Sequence, residues 1–139
     1  MSATRLRYLP LGGLGEVGIN MWALEWDRKV LVVDAGLMFP QEDMLGIDLV
    51  LPDISYLLAR DREVLGIFLS HGHEDHIGGL PFLLEEVPVP VYGTPLTLGL
   101  ARGRLQEHGI LEQADLRAIR SRDTLEIGEF QIDTIGVTH

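Results

Sequence analysis

Short apolar runs alternate along the chain with polar or glycine-containing breaks, and the spacing within each run predicts an element. Leu6 to Leu11 reads as a strand, and Gly12 to Gly18 as a glycine-rich turn. Ile19 to Trp26 is apolar with some alternation, and Asp27-Arg28-Lys29 is a polar break. Val30 to Val33 predicts a short buried strand, because branched side chains suit a pleated surface. Asp34-Ala35-Gly36 ends that strand, and Met38 to Leu51 reads as a loop. Asp53 is expected to cap a short helix running to about Arg60. Val64 to Ser70 is a further strand that runs straight into His71. Ile77 to Glu86 predicts a helix, interrupted early by Gly78, Gly79 and Pro81. A strand follows Pro90 and reaches Tyr92, and Thr94 or Thr97 opens a helix ending at His108-Gly109. Gly109 suits the first position beyond that helix, where a left-handed backbone is common. Asp115 to Ile119, Thr124 to Ile127 and Phe130 to Val137 read as strands.

This mixture predicts an α/β or α+β fold, with sheets covered by helices and locally paired strands near the start and the end. There is no internal repeat, low-complexity tract or linker. At 139 residues the chain is long enough for one domain with a core. No apolar run approaches the roughly 18 residues that cross a bilayer, so no membrane association is expected. Met1 to Tyr8 carries two arginines with no apolar run behind them, unlike a secretory signal. The absence of cysteine excludes disulfides and thiolate metal sites and fits a cytoplasmic protein.

A net charge of −10 counts against a simple electrostatic clamp on nucleic acid. It does not count against an enzyme that gathers metal ions, because bound cations invert the local charge logic. Arg102, Arg104, Arg117, Arg120 and Arg122 cluster late in the chain and read as a solvated face.

Ser70-His71-Gly72-His73-Glu74-Asp75-His76 contains H-x-H-x-D-H directly after an apolar strand. Neutral imidazole and carboxylate oxygen both suit zinc and neighbouring divalent metals, manganese included. A tight loop can aim His71 and His73 at one ion, while Asp75 and His76 reach a second. Two such ions would share a bridging water and lower its pKa, giving hydroxide at neutral pH. Unrelated surface histidines are the bland alternative, but polar ligands this dense rarely follow a buried strand without a metal to hold. His139 stands after Val137-Thr138 as His71 stands after Leu69-Ser70, and would complete a three-histidine set for the first ion. Asp75 and His76 are the candidate catalytic residues, Asp75 because its carboxylate can also handle a proton.

Asp34 ends a buried strand, and is read as a carboxylate that orients the metal loop rather than as a simple turn residue. Glu42, Asp43 and Asp48 could hold a structural cation through oxygens, with Asp48 the candidate, although a solvated loop is the better reading. His108 reads as a helix C-terminal residue that favours the dipole. Gly13-Leu14-Gly15-Glu16-Val17-Gly18 matches the dinucleotide fingerprint, and Asp34 lies about where a ribose-binding acid would. Against that motif, Trp22, Leu24 and Trp26 alternate as in a strand where a crossover helix should begin.

The H-x-H-x-D-H cluster, with Asp34 before it and His139 after it, resembles the metallo-β-lactamase superfamily. The surrounding stretches narrow the resemblance to the ribonuclease J family, in the β-CASP group. They are Leu9 to Gly18, Asp34 to Pro40, Leu45 to Asp53, His71 to Leu84 and Val91 to Leu100. The resemblance implies an αββα sandwich with metals at one sheet edge. It also implies a cytoplasmic enzyme that cuts RNA as a 5′-to-3′ exonuclease and an endonuclease in rRNA processing and mRNA decay. By the same resemblance, His71, His73 and His139 match ligands of one zinc ion, and Asp75 and His76 match ligands of the other. The full protein is expected to form a homodimer or homotetramer. The family is much longer, with a bridging aspartate and a further histidine after the position of His139, a β-CASP domain and a C-terminal domain. Residues 1–139 are therefore expected to be only the first half of the catalytic sandwich, and inactive alone. The alternatives are a thioester or lactone hydrolase of the same fold and a non-catalytic RNA-binding scaffold.

Overall fold

The computed structural model describes residues 5–12, 20–36, 54–59, 61–70, 77–120 and 122–135. Six strands form one sheet in sequence order: β1 (Arg7–Gly12), β2 (Met21–Trp26), β3 (Lys29–Val33), β4 (Glu63–Phe68), β5 (Val91–Gly93) and β6 (Leu116–Ala118). β1, β2 and β3 pair antiparallel, and β3 to β6 run parallel. Parallel neighbours need crossovers. Helix α1 (Leu80–Glu86) lies in the connection from β4 to β5, and α2 (Pro95–Glu107) in that from β5 to β6. A separate hairpin, β7 (Thr124–Ile127) and β8 (Phe130–Asp133), closes the described chain.

Period-two alternation decides the faces. Met21, Ala23, Val30, Val32, Ile67 and Val91 point to the helix side, where they meet Leu80, Leu83, Leu98, Ala101 and Leu105. Leu31 and Tyr92 point the other way and bury against Ile127 and Phe130 of the hairpin. β3 is buried on both faces, which its continuous Val-Leu-Val-Val run anticipates. The hairpin thus covers the middle of the face opposite the helices, while Leu6 and Tyr8 at the β1 end stay exposed.

Local chemistry sets most boundaries. Asp27 and Arg28 take φ of 50° and 65°, the left-handed pair of a two-residue hairpin turn between β2 and β3. In α2, Thr94 Oγ1 accepts from the Thr97 N–H at 3.3 Å, Pro95 fills the first turn, and Gly109 follows with φ 71°. His108 caps the C-terminal end and packs edge-on against Phe82, as a helix-end residue should.

Three boundaries differ from the sequence expectation. The helix anticipated after Asp53 is only a 3-10 turn, Ser55–Leu58, with Ile54 before it offering no side-chain acceptor. Leu57 anchors the turn in the core, and an extended Ala59 then redirects the chain into β4. Ile77 is itself helical, but Gly78 and Gly79 form a turn and α1 begins only at Leu80. β8 stops at Asp133 because Thr134 turns out of the ladder, its hydroxyl donating to the carbonyls of Arg120 and Asp123.

Candidate metal centre

The carboxyl ends of β3 and β4 are where open α/β sheets place their sites. β3 ends in Asp34, whose N–H donates to the Phe68 carbonyl at 2.8 Å and so continues the ladder one step. Asp34 then turns the chain with φ 65°, a left-handed conformation that aspartate tolerates better than bulky residues. The residue is 3% exposed. Oδ1 accepts from the Ser70 N–H at 2.8 Å, and Oδ2 accepts from the Ser70 hydroxyl at 2.7 Å. Burying a carboxylate is costly unless it is hydrogen-bonded, and these donors supply part of the compensation.

The residues just past Asp34 engage the chain that follows the histidine segment in sequence. The Gly79 N–H donates to the Ala35 carbonyl at 2.7 Å, and the Gly36 N–H donates to the Asn20 carbonyl at 2.9 Å. Ile77 is buried in the core between the loop and α1. Segment 71–76 therefore leaves from Ser70 and returns by Gly79, and both residues are fastened to Asp34–Gly36.

His71, His73, Asp75, His76 and His139 themselves lie outside the described residues, as does Asp48. Among the described residues no three His, Cys, Asp or Glu side chains gather. Asp34 is the one sequence-predicted site residue whose surroundings are described, and its carboxylate holds Ser70, the residue directly before His71. The donor set between Ser70 and Ile77, imidazoles with a carboxylate, fits a divalent cation by its chemistry. Sequence reasoning did not pair Ser70 with Asp34. The available signal was the hydroxyl residue directly before His71, repeated as Thr138 before His139.

The dinucleotide reading fails on topology. β1 and β2, on either side of the glycine-rich segment, are antiparallel neighbours, with Gly12 paired to Met21. A dinucleotide fingerprint joins parallel strands, and Asp34 is engaged by Ser70.

Two other features lie at the opposite end of the sheet. Glu25, 5% exposed, accepts from Tyr56 Oη at 2.7 Å, Arg62 Nε at 2.8 Å and Arg7 Nη1 at 3.1 Å. Burial and the bond to Glu25 push the Tyr56 hydroxyl above its ordinary value. Arg62 also reaches Asp61 at 2.8 Å, and the cluster braces β1, β2 and the segment before β4. A cavity of about 420 Å³, lined by Leu84, Pro88, Val89, Ile110 and Ala114, opens beneath β5 and β6. Asp115 on its rim is held by Arg117 at 2.8 Å, and Glu85 and Gln113 add polar groups to its otherwise apolar lining. The late arginines keep the solvated reading, with Arg104 and Arg117 paired to Glu107 and Asp115 at the surface.

The sequence pattern of the metallo-beta-lactamase superfamily matches residues 14–139. Ribonuclease J2 of Bacillus subtilis is 46% identical over 96% of the chain, and ribonuclease J of Helicobacter pylori 42% identical over 99%. The chain spans only 24% and 20% of those two relatives. Among solved structures, the Rm3 metallo-beta-lactamase aligns over 89% of this chain and 49% of its own, with a TM-score of 0.54 and 23% identity, a likeness of fold alone. Among the described residues no helix is long and apolar enough to cross a membrane.

Proposed function

Because the chain belongs to the metallo-β-lactamase superfamily, we propose that it forms the first part of the catalytic unit of a metal-dependent ribonuclease that hydrolyses RNA phosphodiesters. What carries this reading is the Asp34–Ser70 anchor at the mouth of the H-x-H-x-D-H segment, in a chain 46% and 42% identical to two ribonucleases J.

His71, His73 and His139 would hold one divalent ion through imidazole nitrogens, and Asp75 and His76 the other. Zinc is the first candidate and manganese the second, since both accept these ligands. When bound, two such ions supply a nucleophilic water at neutral pH and offset charge on the phosphate oxygens. Asp75 can also take up a proton at a carboxylate oxygen. Asp34 does not touch substrate. It fixes Ser70, and through Ser70 the backbone from which His71 departs. The net charge of −10 suits this division of labour, because cations rather than lysines would meet the phosphates. Exonuclease and endonuclease action in rRNA processing and mRNA decay, a cytoplasmic location and a homodimer or homotetramer belong to the same proposal for the whole protein.

The test incubates full-length protein with labelled RNA and, separately, with a thioester, each with and without chelator. The proposal expects RNA cleavage that chelator abolishes. Chelator-sensitive thioester cleavage without RNA cleavage overturns it in favour of a small-molecule hydrolase. RNA retention without cleavage overturns it in favour of a scaffold.

A further inference from the structure

Gly79 has an ordinary backbone. Its φ of −88° and ψ of −2° are open to any L-residue, so the position does not need glycine for its conformation. Its need is steric. A Cβ built there would stand 2.5 Å from the Gly36 carbonyl oxygen and 3.1 Å from that of Ala35. Carbon–oxygen contacts settle near roughly 3.3 Å or more, so a methyl group would drive two backbone segments apart by about 0.8 Å. Neither neighbour is a side-chain tip that can swing aside. The same glycine N–H donates to Ala35 at 2.7 Å, so the close approach and the hydrogen bond are one contact.

We propose that Gly79 is a positioning residue for the metal loop. With Ser70 it completes a two-point clamp in which Asp34–Gly36 holds both ends of segment 71–76. The inference rests on the metal-centre reading above and adds a residue that neither ligates nor touches substrate. Fastening one end leaves the eight residues between Ser70 and Gly79 free to pivot, whereas fastening both restricts the directions in which ligands can leave the backbone. Residues that orient ligands typically change metal affinity by about 10- to 100-fold when altered.

Cobalt(II) titration of the metal-free full-length protein tests this, with absorption bands reporting the ligand field. Gly79→Ala should bind cobalt at least about tenfold more weakly than wild type and show altered bands. Two controls should keep wild-type affinity and bands. Leu105→Ala loses stability in the core at a distance, and Gly99→Ala adds a methyl group in open space on α2. If Gly79→Ala titrates like wild type, the positioning role is wrong while the metal centre stands. If wild type takes up no cobalt, the metal-centre reading itself fails and takes the inference with it. Should Gly79→Ala not fold, amide exchange in wild type decides. A Gly79 N–H that is protected without metal supports a preformed clamp, and an unprotected one overturns it.

Discussion

Asp34 engages Ser70 with both carboxylate oxygens, Oδ1 accepting from the backbone N–H at 2.8 Å and Oδ2 from the hydroxyl at 2.7 Å. The two bonds are unequal in what a mutation can remove. Asp34→Ala deletes both and should weaken metal binding by about 10- to 100-fold. Ser70→Ala deletes only the hydroxyl donor and should cost less, because the backbone bond survives. Metal titration of the two variants in the full-length protein checks the order. Equal affinities in Asp34→Ala and wild type would contradict an orienting role.

A second prediction concerns alkaline stability. Burial first, and then the bond to Glu25, raise the Tyr56 hydroxyl above its ordinary value. The folded chain therefore holds this proton more tightly than the unfolded chain. The stabilisation is fully present below about pH 10 and is lost as pH rises through the folded-state value. Tyr56→Phe should be less stable at pH 8, by about 1 kcal/mol for the missing hydrogen bond. The difference should shrink as pH climbs above 10. Urea midpoints of both proteins from pH 8 to 11 measure it, and a constant difference would contradict the linkage.

Glycines of α2 should respond with opposite signs. Gly99 and Gly103 lie within the helix, and a Cβ at either would meet nothing within 4 Å. Alanine at each should stabilise by about 1 kcal/mol, since glycine is the poorer helix former. Gly109, just beyond the helix with φ 71°, should lose about 1 kcal/mol on the same substitution. Denaturant midpoints at unchanged slope report all three.

What the sequence made legible was local. Trp22, Leu24 and Trp26 alternate, and β2 is a strand with those three half-buried. Thr94 and Gly109 mark α2 because a cap and a stop act on their own backbone neighbours. Asp34 was recognisable as a carboxylate at a strand end, and Gly78-Gly79 as an interruption at the start of a helix. What was not legible depends on distant partners. Glu25 occupies a buried position in β2, and the groups that make this tolerable are 18, 31 and 37 residues away. Ser70 meets Asp34 across 36 residues, through the parallel pairing of β3 and β4. The dinucleotide-like glycines could be set aside from the alternation that follows them, and the antiparallel β1–β2 pairing agrees. Asp53 was a plausible cap, but cap chemistry cannot say whether one turn or three will follow.

The central claim is that the histidine segment gathers the metals that hydrolyse RNA. His76→Ala in the full-length protein, assayed on 5′-monophosphorylated RNA under single-turnover conditions, tests it most directly. His76 is one of only two ligands proposed here for the second ion, so the variant should lose at least about a hundredfold in rate while keeping its fold. Turnover at the wild-type rate would contradict the account.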